Sequence, residues 1–217
     1  MEVNIRRILK FVEEKGWVPR TRTIKCNSIF ELLVITIISQ ITNWRNVRLV
    51  YNRIKKICDI SPESISRLSE GELEEALKPA GLYKVKAKRI KELAHIFLAH
   101  RLEEKLRNIT DPLKAREILL SLPGVGYKTA DIILAFCLGF NVLAIDTHIR
   151  RITTRLRIAS SKDKYDDIRT KLESLIPPEE RKWAHLALIE FGRRICTSRN
   201  PKCRLCPIST TCPSAKV

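Results

Sequence analysis

Apolar positions recur at helical spacing along almost the whole chain, and the strict alternation of a half-buried strand is absent. Residues 3–14 carry the first such pattern. Ser28-x-x-Glu31 reads as a capping box that opens the apolar run through Ile38. Residues 43–57 are amphipathic, with a basic outer face. Ser69-x-x-Glu72 opens a short helix that stops near Pro79 and Gly81. Residues 84–106 predict one long helix whose buried stripe is Ile90, Leu93, Phe97 and Leu98. Asp111-Pro112 sets a capping carboxylate before a proline at the first helical position, leading into residues 113–120. Further helices are predicted over 127–138, 147–156, 164–175 and 179–195. The expected fold class is all-α, with no low-complexity linker.

Composition narrows the picture. Apolar residues make up 44% of the 217, enough for a proper core in one large domain or two small ones. The longest near-apolar run, residues 32–38, is too short to span a bilayer, and residues 1–15 mix charges throughout. Neither a membrane span nor a secretory signal is predicted, so the expected location is cytoplasmic. Lys and Arg number 41 against 24 Asp and Glu, a net charge of +17. A surplus of that size suits a polyanion, because each phosphate neutralised releases a condensed counterion. An anionic membrane surface or ribosomal RNA would suit it too. So would the Lys-rich solvated surface of a hyperthermophile protein, and the single Met and single glutamine (Gln40) lean the same way. The source expected from this is prokaryotic and thermophilic.

Four of the seven cysteines crowd into the last 22 residues. Cys196, Cys203, Cys206 and Cys212 give C-x6-C-x2-C-x5-C within a loop stiffened by Pro201, Pro207 and Pro213. Zinc accepts four thiolates, but zinc ribbons generally use two C-x2-C knuckles and only one such pair is present. One loop wrapping a 4Fe–4S cluster fits the spacing better. Cys26, Cys58 and Cys137 lie in apolar contexts and are expected to be packed thiols.

Leu122-Pro-Gly-Val-Gly126 joins two amphipathic segments, and Gly124 and Gly126 would open the main-chain N–H groups of the next helix to an anion such as a DNA phosphate. An ordinary helix–helix turn would look similar. Lys128 follows at once, however, and Asp146 stands one helix further on. A lysine amine can serve as a nucleophile, yet at its usual pKa of ~10.4 only about one in 2,500 is deprotonated at pH 7. It needs desolvation and neighbouring positive charge. Asp146 is placed both to cap the helix beginning at Thr147 and to act as a carboxylate partner.

LPGVGYKTADIIL, then AIDTHIRR, then the cysteine spacing, in that order, resemble the endonuclease III family, and the resemblance extends over most of the chain. It implies two helical lobes with a DNA site between them. One is a six-helix barrel with a helix–hairpin–helix over residues 28–139. The other is an iron–sulfur lobe made from 1–27 and 140–217. By matching, Lys128 is the Schiff-base lysine and Asp146 the catalytic aspartate. Gln40, in Ser-Gln-Ile-Thr-Asn, matches a plug for the hole left by a flipped base. Leu82, in Gly-Leu-Tyr, matches a wedge on the opposite strand. The implied protein is a monomer that acts on double-stranded DNA carrying a damaged base or abasic site. Its implied activity is that of a glycosylase and abasic-site lyase for oxidised pyrimidines. A monofunctional glycosylase for mismatched or alkylated bases is the alternative within the class, and a non-catalytic iron–sulfur DNA-binding protein the alternative outside it. Two departures bear on the base excised. Asn43-Trp44 and the 84–91 stretch resemble a sub-branch of which some members excise alkylated bases, and Tyr127 stands where arginine is common. Lys84, Lys86 and Lys88 are candidate phosphate contacts, unless they form a solvated helix face.

Overall fold

A computed structural model describes residues 2–216. Helix α1 (Glu2–Glu14) precedes a block containing α2 (Ile29–Ser39), α3 (Trp44–Ile57), α4 (Pro62–Arg67) and α5 (Glu70–Leu77). The same block continues with α6 (Tyr83–Ala99), α7 (Leu102–Arg107), α8 (Pro112–Leu120) and α9 (Tyr127–Phe136). After it come α10 (Thr147–Arg155), α11 (Tyr165–Glu173) and α12 (Arg181–Arg194). No strand occurs among the described residues, and the fold is all-α as the periodicity predicts. The chain divides into two compact units, residues 25–138 and the two flanking segments together.

In the 25–138 unit α2 is the central helix. Ile29, Phe30, Leu33, Val34, Ile37 and Ile38 are buried, and α3, α6 and α9 pack on it. A helix so apolar must be covered on several sides. Its N-terminus is capped by two residues: Ser28 Oγ accepts from Glu31 N at 3.2 Å, while Ile29 N and Phe30 N donate to the Glu103 carboxylate. Ser28-x-x-Glu31 therefore forms only half of the predicted box, since Glu31 accepts from the Tyr51 hydroxyl instead. The Ser69–Glu72 box is complete in both directions.

Glu103 reaches α2 because the predicted long helix is broken. Arg101 takes a left-handed φ of 46°, ending α6 and turning α7 so that Leu102 and Leu106 are buried. Neither glycine nor proline marks this break, so tertiary packing overrides a continuous helical pattern. Leu98, predicted buried, is 38% exposed. The buried stripe of α6 is Lys86, Ala87, Ile90, Leu93, Ala94 and Phe97, with Phe97 edge-on to Phe30. Helix α4 was not among the predicted elements, although Ser61-Pro62 opens it as Asp111-Pro112 opens α8.

Two of the three cysteines expected to be packed thiols are joined. Cys26 and Cys137 form a disulfide across 111 residues, with Cα atoms 5.2 Å apart. Cys58 remains a half-buried thiol, pushed up in pKa first by burial. The bridge lies just inside both ends of the 25–138 unit and closes nearly all of it into one loop. Closing a loop of roughly 100 residues removes denatured-state entropy equivalent to about 4.7 kcal/mol in the chain-entropy treatment. Cys26→Ser is expected to lower unfolding stability by a few kcal/mol on that basis and to abolish the effect of added dithiol on denaturant melts. Identical melts for both proteins with and without dithiol would contradict it.

In the other unit α1 and α10 both pack on α12, around Ile8, Val12, Ile152, Leu188 and Phe191. Trp183 Nε1 donates to Val18 O at 2.9 Å, and the Arg20 guanidinium covers the Trp183 ring. Gly192 lets α10 and α12 approach closely. A Cβ there would lie 2.8 Å from His148 Cβ, a contact no side-chain rotation relieves.

Candidate functional site

The Leu122–Gly126 hairpin turns between α8 and α9 with Leu122 and Val125 buried beneath it. Gly124 has φ 78°, which favours glycine, and Gly126 occupies the N-cap of α9 with no side-chain cap. The first N–H groups of α9 therefore lack an intrahelical acceptor and form an anion-binding end. Arg116 and the buried Asp131 join α8 to α9 by an ion pair at 2.8 Å. The Arg116 guanidinium also lies over the ring of Tyr127, 5.2 Å from its centroid. Positive charge thus stands beside position 127 although a tyrosine occupies it.

Lys128 sits in the first turn of α9, exposed, with no hydrogen bond or ion pair among the described residues. Desolvation of its amine is therefore not built into the free protein. It has to come with a ligand that covers it.

The candidate plug and wedge are tied together, and to the hairpin. Gln40 Nε2 donates to Gly124 O at 3.0 Å, and Arg89 Nη1 donates to Gln40 Oε1 at 3.4 Å. Lys86 is 2% exposed and gives its three ammonium hydrogens to the carbonyls of Ile38, Gln40 and Ala80 at 3.0, 2.8 and 2.9 Å. Burial pulls its pKa below the usual lysine range. Lys86 is thus a buried cap of two chain turns and not the phosphate contact expected from its basic run, while Lys84 and Lys88 remain exposed. The signal was present: Lys86 falls four residues before Ile90, in register with the apolar stripe. Leu82 is 56% exposed and takes φ 49° at the N-cap of α6. Ile41, directly after Gln40, is 87% exposed with φ 54°. A left-handed conformation costs a side-chain-bearing residue roughly 1–2 kcal/mol, and for a β-branched residue it is rare.

In the other unit Asp146 is 9% exposed and caps α10, its Oδ1 accepting from Ile149 N at 2.8 Å. No other hydrogen bond engages its carboxylate among the described residues, so Oδ2 is open to other work. His148 lies two residues on, half-buried, with Arg151 Nη2 3.0 Å from its Nδ1. Desolvation, ahead of the Arg151 and Arg193 charges, pulls its pKa down and favours the neutral ring, against the opposing charge of Asp146.

Cys196, Cys203, Cys206 and Cys212 line one pocket with Ile8, Phe191 and Ile208. Arg155 Nη1 donates to Cys196 Sγ at 3.2 Å, and Arg151 Nε to Cys196 O at 2.9 Å. Burial and then the neighbouring three cysteines push the Cys206 thiol up to about 11, opposed by a backbone N–H from Ile208. Four sulfurs so grouped hold their charge as thiolates only beside a cationic centre. Among the described residues no set of three donors closes on a point as a single ion requires. By their chemistry, four thiol donors around one largely apolar pocket suit a thiolate-ligated metal group.

The family model for HhH-GPD superfamily base excision DNA repair proteins matches residues 34–178. The chain is 31% identical over 211 residues to a putative DNA repair glycosylase of Methanocaldococcus jannaschii, covering 95% of this chain and 93% of that one. It is 32% identical over 187 residues to endonuclease III of Bacillus subtilis, covering 84% and 80%. Among solved structures, a trapped endonuclease III–DNA covalent intermediate is similar with a TM-score of 0.83 at 28% identity, over 99% of this chain and 96% of that one. A thermostable thymine-DNA glycosylase shares the fold, with a TM-score of 0.79 at 23% identity, over 98% and 94%.

Proposed function

The chain belongs to the HhH-GPD superfamily of base excision DNA repair proteins, and on that premise we propose that it is a bifunctional DNA glycosylase and abasic-site lyase. Its substrate is double-stranded DNA carrying an oxidised pyrimidine, and it acts as a monomer. The observation that carries the reading is Lys128: an exposed amine, unengaged among the described residues, in the first turn after an open hairpin of main-chain donors. A glycosylase that only hydrolyses needs a carboxylate and water, and no amine nucleophile.

The hairpin N–H groups hold a phosphate, and the target nucleotide leaves the stack because its C1′ cannot be reached inside it. DNA covering Lys128 supplies the desolvation that the free protein lacks, which favours the neutral amine. The Lys128 Nζ lone pair forms a bond to C1′ as the C1′–base bond breaks, and the base leaves with that electron pair and takes a proton. Loss of a further Nζ proton and opening of the sugar give an imine. Removal of a C2′ proton then expels the 3′ phosphate by cleavage of the C3′–O bond. Asp146 Oδ2 carries protons at the sugar and offsets its positive charge. Borohydride should therefore leave the protein covalently attached to a nicked abasic duplex. Nicking without any trapped adduct would refute the imine. In a panel of duplexes, release of alkylated bases but not of thymine glycol would reassign the substrate.

Cys196, Cys203, Cys206 and Cys212 would hold a 4Fe–4S cluster, which when bound supplies a rigid cationic centre around which residues 196–212 fold. Anaerobically purified protein is expected to be brown, with about four irons per chain. Stoichiometric zinc without sulfide would overturn this assignment. It would also leave the Lys128 reading intact.

A further inference from the structure

We propose that Ile41 is a second apolar wedge, paired with Leu82, and that the buried Lys86 ammonium is the positioning residue that presents both. The proposal rests on the DNA reading above and adds residues to it. Ile41 and Leu82 are large, apolar and exposed, and both hold left-handed backbones that such side chains rarely adopt. Exposure of an apolar side chain alone is ordinary; exposure together with a strained backbone marks a geometry held for use. The holding group is visible. Lys86 Nζ binds Gln40 O, one residue before Ile41, and Ala80 O, two residues before Leu82, so one cation fixes both turns. Its third hydrogen goes to Ile38 O at the end of α2. Gln40, the residue before Ile41, donates its side-chain amide to Gly124 O, which ties the first of these turns to the hairpin. The occupant that this arrangement fits is a base step of duplex DNA, where apolar side chains unstack neighbours while the surrounding donors take phosphates.

The test uses the full-length protein and two duplexes, each with an abasic site facing 2-aminopurine. One is otherwise paired and the other carries the site in a bubble. Ile41→Gly relieves the left-handed strain, so its melting temperature should hold or rise. Its single-turnover cleavage of the paired duplex should nonetheless fall roughly tenfold, with a smaller loss in the bubble where stacking is already open. The rise in 2-aminopurine fluorescence on binding should shrink in parallel. Lys86→Met keeps the aliphatic stem without the cation, and should reproduce the paired-over-bubble defect with little further loss when combined with Ile41→Gly. If Lys86→Met does not fold, Ile41→Gly decides alone. Equal cleavage and equal fluorescence for Ile41→Gly and the unaltered protein overturn the wedge while the lyase reading stands. If the unaltered protein binds and unstacks but does not cleave, the lyase reading fails, and loss of fluorescence in Ile41→Gly still supports the wedge.

Discussion

Lys128→Ala is expected to abolish covalent trapping and to lower nicking of abasic duplexes on the order of a thousandfold or more, as loss of a nucleophile does elsewhere. The fold should be untouched, because the side chain is exposed and makes no hydrogen bond or ion pair among the described residues. Binding to abasic DNA should also persist, since the hairpin donors are main-chain N–H groups. Lys128→Arg preserves the charge and should fail equally: a guanidinium stays protonated and offers no lone pair to C1′. The pair of variants separates nucleophile from cation. If Lys128→Ala is still trapped by borohydride, another amine attacks and the central assignment is wrong. If Lys128→Arg nicks normally, the residue serves only as a charge against phosphate.

Asp146→Asn is the second large effect, expected to lower turnover by roughly 10²–10⁴-fold, the scale of a positioned proton-transfer group. Asparagine caps a helix about as well as aspartate, so Ile149 N keeps its acceptor and α10 its first turn. Only the proton chemistry and the negative charge are lost. Asp146→Ala removes the cap as well, and should add a stability loss of about 1 kcal/mol. Thermal melts that match for Asn and drop for Ala, alongside kinetics that collapse for both, would separate the two duties of one carboxylate. Normal turnover by Asp146→Asn would reduce Asp146 to a cap.

Much of this was legible in residue order. Helical spacing gave the all-α class, and capping residues placed most helix starts, because both are local effects within a turn or two. The cysteine spacing was legible for a similar reason: four sulfurs within 17 residues need no help from distant parts of the chain. What stayed hidden depends on contacts far apart in sequence. Cys26 meets Cys137 across 111 residues, and nothing near either distinguishes a bridged sulfur from a packed one. Glu103 caps α2 from 74 residues away, which also explains why an apparently continuous helix must bend at Arg101. Lys86 read as one of several basic residues, and only its register with Ile90 hinted at burial. The strain at Ile41 lies in a backbone angle that no side-chain pattern encodes.

The Cys26–Cys137 bridge also decides how the molecule responds to being pulled by its ends. The chain enters the 25–138 unit and leaves it within two residues of the bridged positions. Tension applied at the termini therefore passes through the sulfur–sulfur bond and bypasses nearly everything enclosed. At about 3.4 Å per residue, roughly 380 Å of contour length stays hidden from the load. Thiol attack at the bridge releases that length and exposes α2, α6 and the hairpin to force for the first time. Until then, mechanical load can extend only the flanking unit.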